Sequence, residues 1–437
     1  MKNALTALQL RWLNRAVWMA LVVGLAHTLW RLPSLIQTQT GDFVAYYGSA
    51  LAVARGIPLG GLYNDAMFWE VLTGLGIAKR SIFFPNPPSI PVLFLPFTFL
   101  SLENAFLLWT VMNYAVAVAV ATLFVRAAQL RGVYRILFIA VALNFQPTRS
   151  TISHGQIYIV LSALLLWVWW RYKRERVTGF GSALGLLLIT KVFAVHVWLL
   201  TLGMPLRSAW RAWLAGAATV ALVIALSAVI TGLPAWQTWF TELVGRTSSE
   251  LMQHTTSVRS IISPAYQSVH GTLGHFMIYD EKWNPDPMLH ASELVKPLSA
   301  AIALGLTMLG TWMVRQRSVV QGAHADAVFA SLASLSIVLF PYALDYMYAA
   351  AIIPIGLWVR WLQAGQSVKL HIGVLIGIVL VAASYPAKSL VFAQGFLSVF
   401  AHLKVYGLLL LIGLTAWQVY CTRPVPDEAL AQVVQPN

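Results

Sequence analysis

Asp42 is the first carboxylate in a chain of 437 residues, and it opens the run Gly41-Asp42-Phe43-Val44-Ala45-Tyr46-Tyr47 directly after a long apolar segment. An isolated carboxylate at the edge of an apolar cavity suits a general base that takes a proton from a reacting hydroxyl. Its plain alternative is a helix N-cap, where Asp accepts a backbone N–H. Tyr46 follows one helical turn later on the same face. Lys191 offers the opposite charge, because it interrupts the otherwise apolar stretch from Leu186 to Leu200. An ionisable residue at membrane depth is a functional candidate by default, and a phosphate is a natural partner for its ammonium. The competing reading is a lysine that snorkels to the interface. Arg259, within Thr255-Thr256-Ser257-Val258-Arg259-Ser260, is either a bidentate phosphate ligand or a solvated loop charge. His154-Gly155-Gln156, just after Arg149, forms a bend that either feeds polar groups into a cavity or simply connects two spans. Asp345, in Pro341-Tyr342-Ala343-Leu344-Asp345-Tyr346, is a second isolated carboxylate. It either pairs with Lys191 or Arg259 or lines an acceptor pocket.

The elements that position these residues belong to a membrane protein. Hydrophobic residues make up 59% of the chain and charged residues 10%, against about 25% charged in soluble domains; mean hydropathy is +0.71. The sequence predicts an all-α polytopic protein, 1–437 forming one integral membrane domain. Apolar runs of about 17–25 residues each suffice for a crossing. About twelve spans are expected, near 16–36, 104–127, 134–147, 157–172, 178–190, 192–204, 211–231, 297–314, 325–341, 346–364, 370–384 and 404–420. With the N-terminus inside, most of the 29 basic residues fall at cytoplasmic ends, and the opposite side is nearly balanced. The net charge of +14 is therefore a positive-inside signature, not a nucleic-acid surface. Both termini are expected to be cytoplasmic. The first span reads as uncleaved, since no small-x-small site precedes the polar loop.

Two outer loops are long enough to carry function, 37–88 and 236–296. Within the first, residues 42–55 and 64–79 read as helices lying in the interface plane, parted by the turn-forming Gly56-Ile57-Pro58-Leu59-Gly60-Gly61. After Phe83-Phe84-Pro85-Asn86-Pro87-Pro88, the stretch 89–101 is broken by Pro91 and Pro96, which suggests a re-entrant or interfacial hairpin. Non-helical backbone at that depth must be covered by protein or line a watery cavity. A single cysteine, Cys421, excludes an internal disulfide and a cysteine-based metal centre. His270 and His275 are a weak zinc pair, and Asp280, Glu281, Asp286 and Glu293 read as solvated surface. There is no phosphate-binding loop of the ATPase type and no dinucleotide fingerprint. No metal and no cofactor are expected. Transport or flipping of a lipid-linked sugar remains the alternative activity, although the chain lacks the related halves many transporters show.

Asp42-Phe43-x-x-Tyr46-Tyr47-x-x-Ala50, Gly56 to Leu62-Tyr63, Phe84-Pro85-Asn86-Pro87-Pro88, His154-Gly155-Gln156, the Gly185-to-Lys191 segment and Pro341 to Tyr346 together resemble glycosyltransferase family 87 in order and spacing. The resemblance covers roughly residues 16–364. It implies a bundle like those of the GT-C superfamily, which moves a sugar, with mannose favoured, from a polyprenyl-phosphate donor to a lipid or glycan acceptor. The setting it implies is the outer face of a bacterial plasma membrane. It further implies Asp42 as the base, Lys191 and Arg259 at the donor phosphate, and a substrate pocket of Tyr46, Tyr47, Asn86, His154, Gln156, Tyr342 and Asp345. Two departures stand out: Phe84-Pro85-Asn86-Pro87-Pro88 replaces the common Tyr-Pro-Pro-Pro, and Val192-Phe193 replaces Pro-Gln after the membrane lysine.

Overall fold

The computed structural model describes residues 41–245, 262–316 and 323–422, apart from 386, 388 and 393, together with scattered positions between 11 and 30. Most of the expected first span therefore lies outside the described residues, as do Arg259 and part of the second outer loop. Every regular element described is helical, and backbone pairing of the β kind is confined to the isolated bridges Tyr266–Leu344 and Asp280–Asn284.

The first outer loop folds into two short helices, α1 (Phe43–Ala54) and α2 (Asp65–Gly74). Asn64 starts α2 by accepting from the N–H groups of Ala66 and Met67 at 3.0 and 3.1 Å, as an N-cap should. Only α2 has the expected mixed face, with Phe68 and Leu72 inside and Met67 exposed. Helix α1 is buried on all sides from Phe43 to Ala50, because the next segments fold over it. Those are α3 (Ser89–Phe94) and the 3-10 turn Leu95–Phe99, which pack their aromatics against Phe43 and Tyr46.

The bundle follows as α4 (Leu102–Ala127), α5 (Gly132–Asn144), α6 (Gln146–His154), α7 (Tyr158–Lys173), α8 (Val177–Lys191), α9 (Leu206–Thr231), α10 (Leu233–Gly245), α11 (Val269–Met277), α12 (Val295–Arg315), α13 (Ala323–Val338), α14 (Ile352–Gln363), α15 (Val368–Ala382) and α16 (Leu403–Cys421). Four helical stretches are long and apolar enough to cross a membrane: Leu102–Ala127, Leu206–Thr231, Ser292–Arg315 and Gly395–Cys421. The remaining apolar helices among the described residues are shorter, so a count of twelve spans is not confirmed there. The expected span at 192–204 is a 3-10 helix, Val195–Gly203, and the expected span at 346–364 is a 3-10 turn, Asp345–Ala351, leading into α14.

The core lies among α7, α8, α13 and α14, where Trp169, Trp358 and Trp361 are almost wholly buried. Helices α8 and α9 approach through small residues: a Cβ on Gly185 would stand 2.5 Å from the Gly216 carbonyl oxygen, the close contact that membrane helices favour. Helix α7 runs 16 residues, or about 24 Å, and separates two polar ends. At its C-terminal end Asp326, at the start of α13, accepts from Trp169 Nε1 at 2.9 Å and pairs with Arg360 and, at 3.5 Å, with Lys173. Its N-terminal end meets the end of α8 and the end of α13, and there the candidate residues gather.

Candidate active site

Two glycines bring the start of α1 onto the bend after α6. Gly41 has φ +42° and Gly155 φ +67°, conformations that glycine adopts without steric cost. A Cβ on Gly41 would lie 2.6 Å from His154 Cα, and one on Gly155 would lie 2.5 Å from Phe43 Cβ. Trp109 Nε1 donates to the Gly155 carbonyl at 2.9 Å and fixes the bend. This contact delivers the side chain of Gln156 to Asp42, residues 114 positions apart, with Gln156 Nε2 donating to Asp42 Oδ2 at 2.9 Å. Asp42 makes no side-chain cap bond to α1, so the plain N-cap reading does not describe it. Its carboxylate is half-buried and turned toward the bend.

Tyr46 closes the arrangement. Its hydroxyl donates to Gln156 Oε1, which leaves the amide N–H₂ of Gln156 for Asp42. Burial, with the neighbouring Asp42 carboxylate adding to it, pushes the Tyr46 phenol well above its ordinary range, so it remains a donor. The ring is 0% exposed and therefore lies beneath the site. Tyr47 is also buried and donates to the Leu100 carbonyl at 2.7 Å. Both tyrosines, expected from sequence at the substrate pocket, are buried side chains.

Lys191 ends α8 and donates to Asn86 Oδ1. Asn86 is in turn oriented by its Nδ2, which donates to the Phe83 carbonyl, and its own carbonyl accepts from Tyr63 at 3.0 Å. The ammonium lies 5.6 Å from the Tyr46 ring centre and 6.0 Å from that of Tyr158, distances at which an aromatic face attracts a cation. The Asp42 carboxylate acts on it through space. Past Lys191 the chain turns through Val192 at φ +49° and Ala194 at φ +61°, a strained path for residues with a Cβ. Lys191 thereby sits at the edge of a pocket whose apolar wall includes Val192, Phe193, Ile337, Phe340 and Met347.

The other candidates are placed differently. Asp345 lies against Lys404 instead of Lys191: its Oδ1 is 3.3 Å from Lys404 Nζ and its Oδ2 accepts from Gln146 Nε2 at 2.7 Å. Lys404 also donates to Gln146 Oε1 and to the carbonyls of Val381 and Ala383. Asp345 is thus held in an ion pair at the far end of α6 from Gln156. His154 is bound to the Ser150 carbonyl at 2.8 Å and lies against the Tyr346 ring, 5.5 Å between centres. The ring of Tyr342 meets Tyr266 and Phe340. Sequence reasoning missed Tyr158, Gln146 and Lys404. Lys404 carries the same signal as Lys191, a charge at the end of an apolar helix, whereas Gln146 is an ordinary polar residue with nothing local to mark it. No group of three or more His, Cys, Asp or Glu side chains is arranged to hold a metal among the described residues.

Against known proteins, no curated protein and no solved structure matches the chain. The family model of glycosyltransferase family 87 matches residues 84–341, more than half of the sequence. That match takes in Asn86, the His154-Gly155-Gln156 bend and Lys191, while Asp42 precedes it and comes to the site through the fold. The chain belongs to glycosyltransferase family 87, and with its long apolar helices it is a glycosyltransferase of the membrane.

Proposed function

We propose that the enzyme transfers a sugar, with mannose favoured, from a polyprenyl-phosphate donor to a lipid or glycan hydroxyl, with Asp42 as general base and inversion at the anomeric carbon. The observation that carries this reading is the juxtaposition of a half-buried carboxylate, bound by Gln156, with an ammonium mounted at the rim of an apolar pocket. The acceptor oxygen gives its proton to Asp42 as it bonds to the anomeric carbon, whose bond to the phosphate oxygen breaks. The electron pair leaves on the phosphate, where the Lys191 charge stabilises it. The reacting carbon has oxocarbenium character, as in glycoside hydrolysis. A phosphate needs no protonation to depart, so one carboxylate suffices and a single displacement inverts the centre. The cation supplies the charge stabilisation directly, which makes the reaction metal-independent in this scheme.

Orientation follows from the two polar ends of α7. Lys173 and Arg360 mark one end, with Arg171, Arg174 and Arg176 beside Lys173 in the sequence. The positive-inside rule assigns that end to the cytoplasm. The site then faces the outer side of a bacterial plasma membrane, in keeping with a GT-C-type bundle.

The test is transfer of radiolabel from purified polyprenyl-phosphate sugars to a membrane lipid extract, by wild type and by Asp42→Asn. Wild type gives product, and the variant loses activity by at least about 100-fold, the scale of a general base. A well-folded Asp42→Asn enzyme with full activity would remove Asp42 from the chemistry.

A further inference from the structure

We propose that Tyr46 is a positioning residue that sets both charges of the site at once: its hydroxyl holds the Gln156 amide with N–H toward Asp42, and its ring face seats the Lys191 ammonium. This rests on Asp42 acting as the base.

The argument starts from the symmetry of a carboxamide. The two ends of the Gln156 amide have nearly the same shape but opposite hydrogen-bonding character. With N–H₂ toward Asp42 the carboxylate receives a bond; with the oxygen there, two acceptors face each other. The acceptor-only carboxylate favours the first arrangement, and a donor at the far end of the amide secures it. The Tyr46 hydroxyl is that donor, since it bonds to Gln156 Oε1.

The same side chain cannot move away. Its ring stacks on Phe94, 4.9 Å between centres at 26°, and the Lys191 ammonium is 5.6 Å from its centre. Asp42 and Tyr46 lie one turn apart at the head of α1, so the base and its orienting group ride on one rigid element. Gln156 comes from the bend after α6 and Lys191 from the end of α8. Tyr46 is the residue that all three of these polar groups share. It is fully buried, which fits a part of the mount and not a part of the substrate surface.

Tyr46→Phe keeps the ring, its stacking and the cation contact, and removes only the proton that orients the amide. The assay uses the purified full chain in detergent, radiolabelled polyprenyl-phosphate mannose and a membrane lipid extract. Loss of one buried hydrogen bond predicts about a tenfold fall in kcat, with the donor KM unchanged. Tyr46→Phe combined with Gln156→Ala falls no further than Gln156→Ala alone, because the two act as one unit. A second readout needs no sugar donor: dicyclohexylcarbodiimide reacts with protonated carboxyl groups, and modification of Asp42 is followed by mass spectrometry. A flipped amide oxygen favours a proton on Asp42, so Tyr46→Phe labels several-fold faster than wild type. Unchanged labelling, multiplicative losses in the double variant, or wild-type kcat in Tyr46→Phe while Asp42→Asn is inactive would each overturn the proposal. A fully active Asp42→Asn would instead overturn the catalytic reading on which it rests.

Discussion

The two charges at the centre of the site are each held by a neutral amide whose direction is fixed by a third group. Gln156 is oriented by Tyr46 and serves Asp42; Asn86 is oriented by the Phe83 carbonyl and serves Lys191. A neutral partner positions a charge without cancelling it, whereas an oppositely charged one would spend that charge on the fold. Asp345 illustrates the contrast, since Lys404 neutralises it. Under the proposed function the Lys191 charge serves a substrate, and Lys191→Met tests this with little change in side-chain volume. Removing one such stabilising donor costs about 10²- to 10³-fold in kcat, measured by steady-state transfer of labelled sugar. Because the variant also relieves the burial of a charge, its thermal unfolding temperature should not fall. Wild-type kcat in Lys191→Met would place the leaving group elsewhere.

At the scale of elements, nine-residue α6 acts as a spacer of about 13 Å between the ion pair at Gln146 and the bend at Gln156. The bend depends on Gly155, where both the left-handed backbone and the contact with Phe43 exclude a Cβ. Gly155→Ala should lose about 1–3 kcal/mol of stability and depress transfer more than its stability alone explains. Gly76→Ala is the fitting comparison, because Gly76 has φ +78° but nothing within 4 Å of an added Cβ. Equal losses in the two variants would show that the contact with Phe43 is unimportant. Much of this level was legible in the sequence. Asp42 and Lys191 declare themselves as lone charges in apolar surroundings, and Gly155 marks the turn. The segment 192–204 was not legible, because its left-handed residues are Val192 and Ala194, types that normally avoid that conformation. Nor was Gln146 legible, since it meets Lys404 across 258 positions of sequence. The burial of Tyr46 escaped as well, because α3 covers it and a helix carries no record of what folds over it.

Over the whole molecule, the Asp345–Lys404 pair fastens α16, near the C-terminal end, to α6 and to the turn before α14. Lys404 is buried at 3% exposure, so Asp345→Asn leaves a cation without its counter-charge. Breaking a buried pair costs about 3–5 kcal/mol; Asp345 keeps 26% of its side chain exposed, which lowers the expectation to about 2 kcal/mol by solvent screening. Thermal unfolding of the purified protein checks it, and Asp345→Asn with Lys404→Met should recover most of the loss. A double variant no more stable than the single one would mean that the pair is not what joins these elements. The length of α7 has a further consequence. At about 24 Å it falls short of a hydrocarbon layer about 30 Å thick, while the helices of 24 to 27 residues match or exceed that thickness. Local thinning of the bilayer is one response to such a mismatch, and it would make the membrane dip toward the short central helices. Under the proposed function, a lipid-linked donor whose headgroup followed that depression would come level with Lys191 and Asp42, and its chain need not be drawn out of the hydrocarbon for the headgroup to react.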